Sequence, residues 1–424
     1  MSIPGPNDIT RHELSNGVVV LARENHSSPS VFISGCLSVG ACDESPEQAG
    51  LAAFTASALM RGTVHRTFEQ VYEGLESVGA SAGINGGVHT TGFGAKSLTE
   101  DLPLVLDILA DVLRYPSFPA SEVKKLRDEF LTALEERAHD TRRMANLVFH
   151  ELAYPPGHPY ARSHVGYIET ISRLGRDDIA DFYAGGYGPR GMIIVVVGDV
   201  KTDHALSRIE DAFADWGGHT YERAPLPEVS PITEVRSHVV SIPGKTQSDI
   251  VLGYPGPSRT APDFLDAIVC NTILGVFGLM GRLGESVRDE QGLAYYSFSR
   301  VDGGFGPGPW RFIAGVDPSR VQQASESIRA EIRRICEESV DGRELADNKA
   351  FITGSLPLRL ETNSGVARAI LDIERYGLGL DYLQRYASLI DQITWERVQA
   401  VAQRWLDPDA YALAVAGPVA EVEE

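Results

Sequence analysis

Hydrophobic positions in this chain follow two periods. Val123, Leu126, Phe130 and Leu134 recur at helical spacing and predict an amphipathic helix from Ser121 to about His139. Thr67-Phe68-Glu69-Gln70 reads as a capping box, with Gly79 placed to end the helix it opens. Ser45-Pro46-Glu47-Gln48 reads as a second box with Pro at the first helical position, and predicts the start of the helix that contains Ala53–Ser57. Short apolar runs at Val18–Ala22, Met192–Val197 and Asp249–Tyr254 predict buried strands. Ala80–Thr99, rich in Gly, Ala and Thr, suits strands with close backbone approach. Strand, helix, helix, strands, helices, strand is an α+β order, not a doubly wound one.

The chain divides near its middle. Between Trp216 and Thr233, Gly217-Gly218-His219 is followed by Pro225, Pro227 and Pro231 among polar residues, the composition of a linker. The reading is therefore an N-terminal domain over 1–216, a linker over 217–233 and a C-terminal domain over 234–424. The two ends echo each other. Asp178–Tyr183, Gly188-Pro189 and Met192–Val200 are matched in kind by Arg397–Trp405, Asp407-Pro408 and Tyr411–Val419. Each reads as helix, Pro-containing turn and buried strand closed by Gly. Val18–Ala22 and Asp249–Tyr254 form a similar pair of opening strands. A duplicated α+β unit explains this with one assumption; chance similarity of common helix–turn–strand units is the alternative.

Composition narrows the function. The chain has 424 residues, 43% hydrophobic and 23% charged, which suits a globular protein of two large domains or about three smaller ones. A net charge of −20 argues against nucleic acid and against an anionic membrane surface. No apolar run has membrane-spanning length, and the N-terminus lacks the pattern of a secretory or transit signal. Cys36, Cys42, Cys270 and Cys336 form no Cys-x-x-Cys pair and read as reduced thiols, which places the expected location in the cytoplasm.

The segment that carries the most information is Gly50–Thr63, Gly-Leu-Ala-Ala-Phe-Thr-Ala-Ser-Ala-Leu-Met-Arg-Gly-Thr. Alone it is an Ala-rich core helix. Its frame, its closing Gly62-Thr63 and the continuation through Phe68–Gly79 to Asn85 resemble the zinc helix of the pitrilysin and mitochondrial processing peptidase family. Active members carry His-x-x-Glu-His there. On this frame the two His positions fall on Ala53 and Ser57, and the Glu position on Ala56. The third ligand, a Glu on a later helix, falls on Ala133, with Glu135 and Glu136 near enough that a shifted register recovers one carboxylate. One carboxylate without two imidazoles does not make a zinc site, which needs three protein ligands and an open water position. The eleven histidines offer no replacement; His150, His158 and His164 come nearest and read as hydrogen-bonded or solvent-facing.

In the second half, Arg288-Asp-Glu-Gln-Gly-Leu-Ala-Tyr295-Tyr296 keeps an Arg and a Tyr seven residues apart. The resemblance implies that Arg288 and Tyr295 contact substrate backbone near the scissile bond. Arg is a fixed charged fork and Tyr a hydroxyl donor, both suited to developing oxyanion charge. Read without the family, Arg288 is a surface arginine paired with Glu285 or Asp289, and Tyr295 a half-buried strand residue with Tyr296 on the opposite face. Ala82-Gly83-Ile84-Asn85 matches the family strand onto whose edge a peptide adds, or simply packs. Gly303–Pro309 reads as a turn between strands.

The resemblance implies two homologous α+β domains, sheets flanked by helices, forming half of a clamshell. It implies a non-catalytic, substrate-positioning subunit with no metal of its own, paired with a sister chain that carries His-x-x-Glu-His and zinc and cleaves peptides. A metal-free scaffold or assembly protein of the same fold, and a homodimeric peptide-binding module, are the alternatives.

Overall fold

The computed structural model describes residues 3–217 and 223–418. Two sheets organise it. The first contains Thr10–Glu13 (β1), Val19–Glu24 (β2), Ser30–Leu37 (β3), Ser81–Gly86 (β4), Thr91–Leu98 (β5) and Ile193–Gly198 (β6), in the order β1-β2-β6-β3-β5-β4. The second contains Arg236–Ser241 (β7), Ser248–Pro255 (β8), Ala294–Val301 (β9), Pro309–Val316 (β10) and Ala412–Gly417 (β11), in the order β7-β11-β8-β10-β9. With β1 set aside, the orders are the same: first strand, last, second, fourth, third. Parallel pairing occurs at the same place in both, β2 with β6 and β7 with β11, and the remaining ladders are antiparallel. The fold is α+β and duplicated.

Topology corrects one detail of the repeat. β6 and β11 correspond, as their closing Gly suggested. Val18–Ala22 lies largely in β2, whose counterpart is β7, whereas Asp249–Tyr254 lies in β8, whose counterpart is β3. The mismatch arises because β7 is polar and exposed along most of its length, so hydrophobicity alone does not mark it.

The compact units are not the two contiguous halves. One comprises residues 1–134, 163–225 and 357–384; the other comprises 135–162, 226–356 and 385–424. The break at 225/226 falls inside the expected linker, but each unit also takes a segment from the opposite half. Strand burial gives the reason. Consecutive residues of β6 and β8 are buried, and consecutive strand residues face opposite ways, so both sheet faces are covered. In the first unit helix Asn363–Arg375 lies over β6 and β3, with Asn363 Nδ2 donating to Ser30 O at 3.2 Å and Arg11 Nε to Glu374 at 3.0 Å. In the second, helix Thr141–Ala153 lies over β11 and β8, with Thr141 Oγ1 donating to Asp249 at 2.5 Å. Gly253 on β8 admits the Phe149 ring, 3.1 Å from where a Cβ would stand.

Local signals fared unequally. The Thr67 box forms, with Gln70 N donating to Thr67 Oγ1 at 3.3 Å and Thr67 N to Gln70 Oε1 at 2.9 Å. Gly79, at φ +64°, follows helix Phe68–Glu76. The helix predicted from Ser121 runs over Ala120–Ala138. Ser45 caps nothing with its side chain; Pro46–Gln48 makes only a 3₁₀ turn. Gly303–Pro309 joins β9 to β10 as expected. The four cysteines form no disulfide; three are buried and Cys42 is half-buried. Among the described residues no single helix is long and apolar enough to cross a membrane.

His158 is buried in the second unit, stacked on Tyr154 at 5.5 Å and edge-on to Tyr160 at 4.8 Å. Its Nδ1 accepts the Tyr160 N–H at 3.0 Å, which leaves the ring proton on Nε2. Burial pushes its pKa below the ordinary 6.5; the Pro227 carbonyl opposes part of that shift, and Arg162 adds to it. Below pH 6.5 the unfolded chain therefore takes up a proton that the folded chain refuses. Stability falls as pH drops from the ordinary value toward the depressed one. Melting curves between about pH 7 and about pH 5 should show this loss, and His158→Gln should make the slope shallower whatever its effect on the absolute Tm.

Candidate functional site

The region that matches the zinc helix is Leu51–Ala58, followed by a 3₁₀ turn to Arg61. Its start is set by Glu44, not by Ser45. The buried Glu44 carboxylate accepts from Gly50 N at 2.8 Å and Ala52 N at 2.7 Å, an anion placed on the helix N-terminus. Gly50 enters at φ +96°, and a Cβ there would stand 2.7 Å from the Gly166 backbone. Gly62, at φ +127°, ends the 3₁₀ turn as expected.

Ala53 and Ala56 are buried, and Ser57 is half-buried with its hydroxyl donating to Ala53 O at 3.0 Å. The hydroxyl at the second His position is thus spent on its own helix backbone. Phe54 packs edge-on to Phe130 of helix Ala120–Ala138, with ring centroids 5.2 Å apart. On that helix Ala133 is exposed, and Leu134, one position on, turns into the core; Glu135 and Glu136 are also exposed. Among the described residues no group of three or more His, Cys, Asp or Glu is arranged to hold a metal.

β4 lies beside this helix at the edge of its sheet, paired only with β5. Its residues alternate between exposed and half-buried. A shallow cavity of about 370 Å³ runs along it, lined by Phe32, residues 81–85 and Gly94–Lys96. At its end, a Cβ on Gly86 would stand 2.6 Å from Ala53 Cα, so strand and helix meet backbone to backbone. Gly83, by contrast, has open space around it.

In the second unit, β9 is the equivalent edge strand, and helix Phe264–Gly275 packs against it. Gly315 pairs with Tyr296 and Val316 with Ala294, so Tyr295 is an extra residue in a β-bulge. It is 66% exposed. Tyr296 is held: its hydroxyl donates to the buried Asp249, which also accepts from Thr141. Arg142 lies over the Tyr296 and Phe298 rings at 5.2 and 5.1 Å. Burial, and then Asp249, push the Tyr296 hydroxyl well above its usual pKa, so it stays a donor. Tyr295 is therefore more exposed than a half-buried strand residue, while Tyr296 takes the anchored role.

Arg288 sits in a π-helical segment, Gly284–Glu290, half exposed. Its nearest carboxylate is Asp289, at 3.8 Å, the weak surface pair that the residues alone suggested. No hydrogen bond or ion pair joins Arg288 to Tyr295; they flank the turn at Gly292. The segment before Arg288 is strained: Gly278, Met280 and Gly281 have positive φ, and Met280 is not glycine. Arg282 fixes its far end through two bonds to Glu344, at 2.7 and 2.6 Å. The Gly278-x-x-Gly281-x-x-Gly284 spacing was the sequence signal for this turn; the Asp249 clamp and the bulge had none.

A family model described as "Insulinase (Peptidase family M16)" matches residues 19–156, and one described as "Peptidase M16 inactive domain" matches 173–351. The chain belongs to peptidase family M16. The M16 match covers the helix with Ala53, Ala56 and Ser57, and its inactive-domain match covers Arg288 and Tyr295. The chain is 26% identical over 421 residues to an uncharacterized zinc protease YmxG of Bacillus subtilis, covering 97% of this chain and 98% of the relative. It is 24% identical over 428 residues to cytochrome b-c1 complex subunit 1 of rat mitochondria, covering 97% and 86%. A crystal structure of a peptidase M16 inactive domain from Pseudomonas fluorescens superposes with a TM-score of 0.88 at 21% identity, covering 97% and 98%.

The packing of β4 on helix Leu51–Ala58 yields a paired test. Gly86→Ala forces a Cβ into the Ala53 backbone and should destabilise the chain by about 1–3 kcal/mol. Gly83→Ala, on the same strand in open space, should leave the melting temperature unchanged or raise it slightly.

Proposed function

We propose that this chain is the metal-free, substrate-positioning subunit of a two-chain zinc peptidase. The observation that carries the reading is an asymmetry between two equivalent edges. The helix beside β4 has alanine at two of its three motif positions and at the third a serine whose hydroxyl is spent on Ala53 O, while β9 presents Tyr295 on an anchored bulge across the Gly292 turn from Arg288. Loss of chemistry at one edge with retention of an oxyanion-type donor pair at the other is the pattern of a chain that holds substrate for a catalyst located elsewhere. The partner is a sister chain with His-x-x-Glu-His, which would hold the zinc; the substrate is an extended peptide, whose backbone suits the open β4 edge.

The second reading is a structural subunit of a larger assembly. It is favoured by the similarity to the rat protein, itself a subunit of the cytochrome b-c1 complex.

Arg288→Ala and Tyr295→Phe separate the two. In the reconstituted pair each should lower peptide turnover by about 10²–10³ with assembly intact, as removal of an oxyanion donor does. Full turnover by both variants would favour the structural reading. The chain purified alone should show neither tightly bound zinc by elemental analysis nor peptidase activity; one zinc per chain would overturn the proposal.

A further inference from the structure

A second cavity, of about 590 Å³, opens in the first unit between the turn at 63–66, helix Leu102–Arg114 and helix Thr202–Phe213. Its lining includes no residue of helix Leu51–Ala58 or of β4. The volume falls in the range of about 300–1,000 Å³ typical of small-molecule sites.

The polar groups in it are built, not incidental. Asp111, buried at its floor, accepts from Thr63 Oγ1 at 2.7 Å and Arg66 Nη1 at 2.7 Å, and lies 2.6 Å from His65 Nδ1. Burial would raise its pKa, but His65, Thr63 and Arg66 together hold it below the ordinary value. It is a carboxylate, so His65 Nδ1 donates to it, and Nε2 carries the lone pair of the neutral ring. No described group bonds that Nε2.

Two further groups are left over. Arg114 is not one of them: it is 8% exposed, one Nη binds the Ala212 carbonyl, the other binds Asp215 at 2.7 Å, and its Nε is buried out of reach of a ligand. Arg208 finds only the His204 Nε2 lone pair at 3.1 Å and no carboxylate. Asp211, one turn further along the same helix, makes no ion pair among the described residues, although it lines the same cavity. Arg66 is already neutralised by Asp107 and Asp111. The unused groups are therefore one donor that suits an anion, Arg208, and two acceptors that suit a cation, Asp211 and His65 Nε2. Leu106 and Ala110 supply an apolar wall.

We propose that this cavity binds a short peptide through both of its free termini. The carboxylate meets Arg208, the ammonium meets Asp211 and His65 Nε2, and an apolar side chain rests on Leu106 and Ala110. A simple anion leaves Asp211 and His65 unused, and a polyanion is repelled by Asp107 and Asp211. The inference is independent of any zinc-bearing partner.

The test is calorimetric titration of the full chain, alone, with the dipeptide Leu-Leu. Saturable one-site binding is expected. Arg208→Ala and the C-terminal amide of Leu-Leu should each weaken it by about 10-fold, and Asp211→Asn and the N-acetyl form likewise. Both substituted residues are exposed on a helix surface, and unchanged melting curves confirm that the variants are folded. Three outcomes overturn the proposal: no saturable binding in the millimolar range, equal affinity in both variants, or inorganic phosphate binding as tightly as the dipeptide.

Discussion

The constraint on which the rest of this structure depends is that the middle strands of both sheets must be covered on both faces. β6 and β8 are runs of buried residues, and a strand buried on both faces leaves no side for water. The N-terminal half supplies helix Thr141–Ala153 to β8 and β11, and the C-terminal half supplies helix Asn363–Arg375 to β6 and β3. Burying an apolar side chain is worth about 1.5–3 kcal/mol, and the second of these helices alone buries Val366, Ile370 and Ile373. A half cut at the linker would lose one helix layer and expose a strand face. The duplication thus produced two sheets but not two independent folding units.

Helix Leu51–Ala58 is held in place by packing and hydrogen bonds alone among the described residues. It is one of the shortest in the fold and has little amphipathic character, being buried almost all round. Its position is fixed by the Glu44 carboxylate at its N-terminus, by Gly50 against the Gly166 backbone, by Phe54 on Phe130 and by Gly86 against Ala53. These contacts are short-range and mutually consistent, and none needs a side chain at positions 53, 56 or 57. At position 53, where the Gly86 backbone of β4 comes closest, the small side chain leaves that approach open.

How much of this could be read from the sequence depended on the range of the interaction. The Thr67 box, Gly79, the helix from Ser121 and the loop at 303–309 are set by neighbours within a few residues, and they form as read. The Ser45 box failed because a competing local signal, the left-handed Gly50, broke the run, and a buried Glu44 took over the cap. The exchange of helices was illegible because it depends on which of two sheets a helix covers, and both offer the same topology. The third-ligand position illustrates a finer limit. A shift of one residue on helix Ala120–Ala138 separates exposed Ala133 from buried Leu134, and spacing carried over from a family does not resolve that. At the second site, the family resemblance pointed to Arg288 and Tyr295, but the bulge arises from pairing with β10, and the Asp249 that anchors Tyr296 lies far off in the chain.

Equivalent positions in a duplicated fold allow the two edges to be compared side chain by side chain. β4 and β9 occupy the same edge, each backed by a helix that a glycine brings close: Gly86 from the strand in the first unit, Gly275 from the helix in the second, where a Cβ would stand 2.2 Å from Ser299 N. The backbone frame has been kept twice; what differs is the side chains on it. β4 is Ser-Ala-Gly-Ile-Asn-Gly, an edge that offers mainly backbone groups. β9 opens Ala-Tyr-Tyr, with the first tyrosine displaced by the bulge into solvent and the second tied down. A strand whose only need was to pack would gain nothing from exposing Tyr295, since burial of an aromatic ring is among the larger stabilising contributions available to it. Holding Tyr296 rigid while setting Tyr295 out is stabilisation forgone on this edge, and it is the observation on which the proposed positioning role of Tyr295 rests.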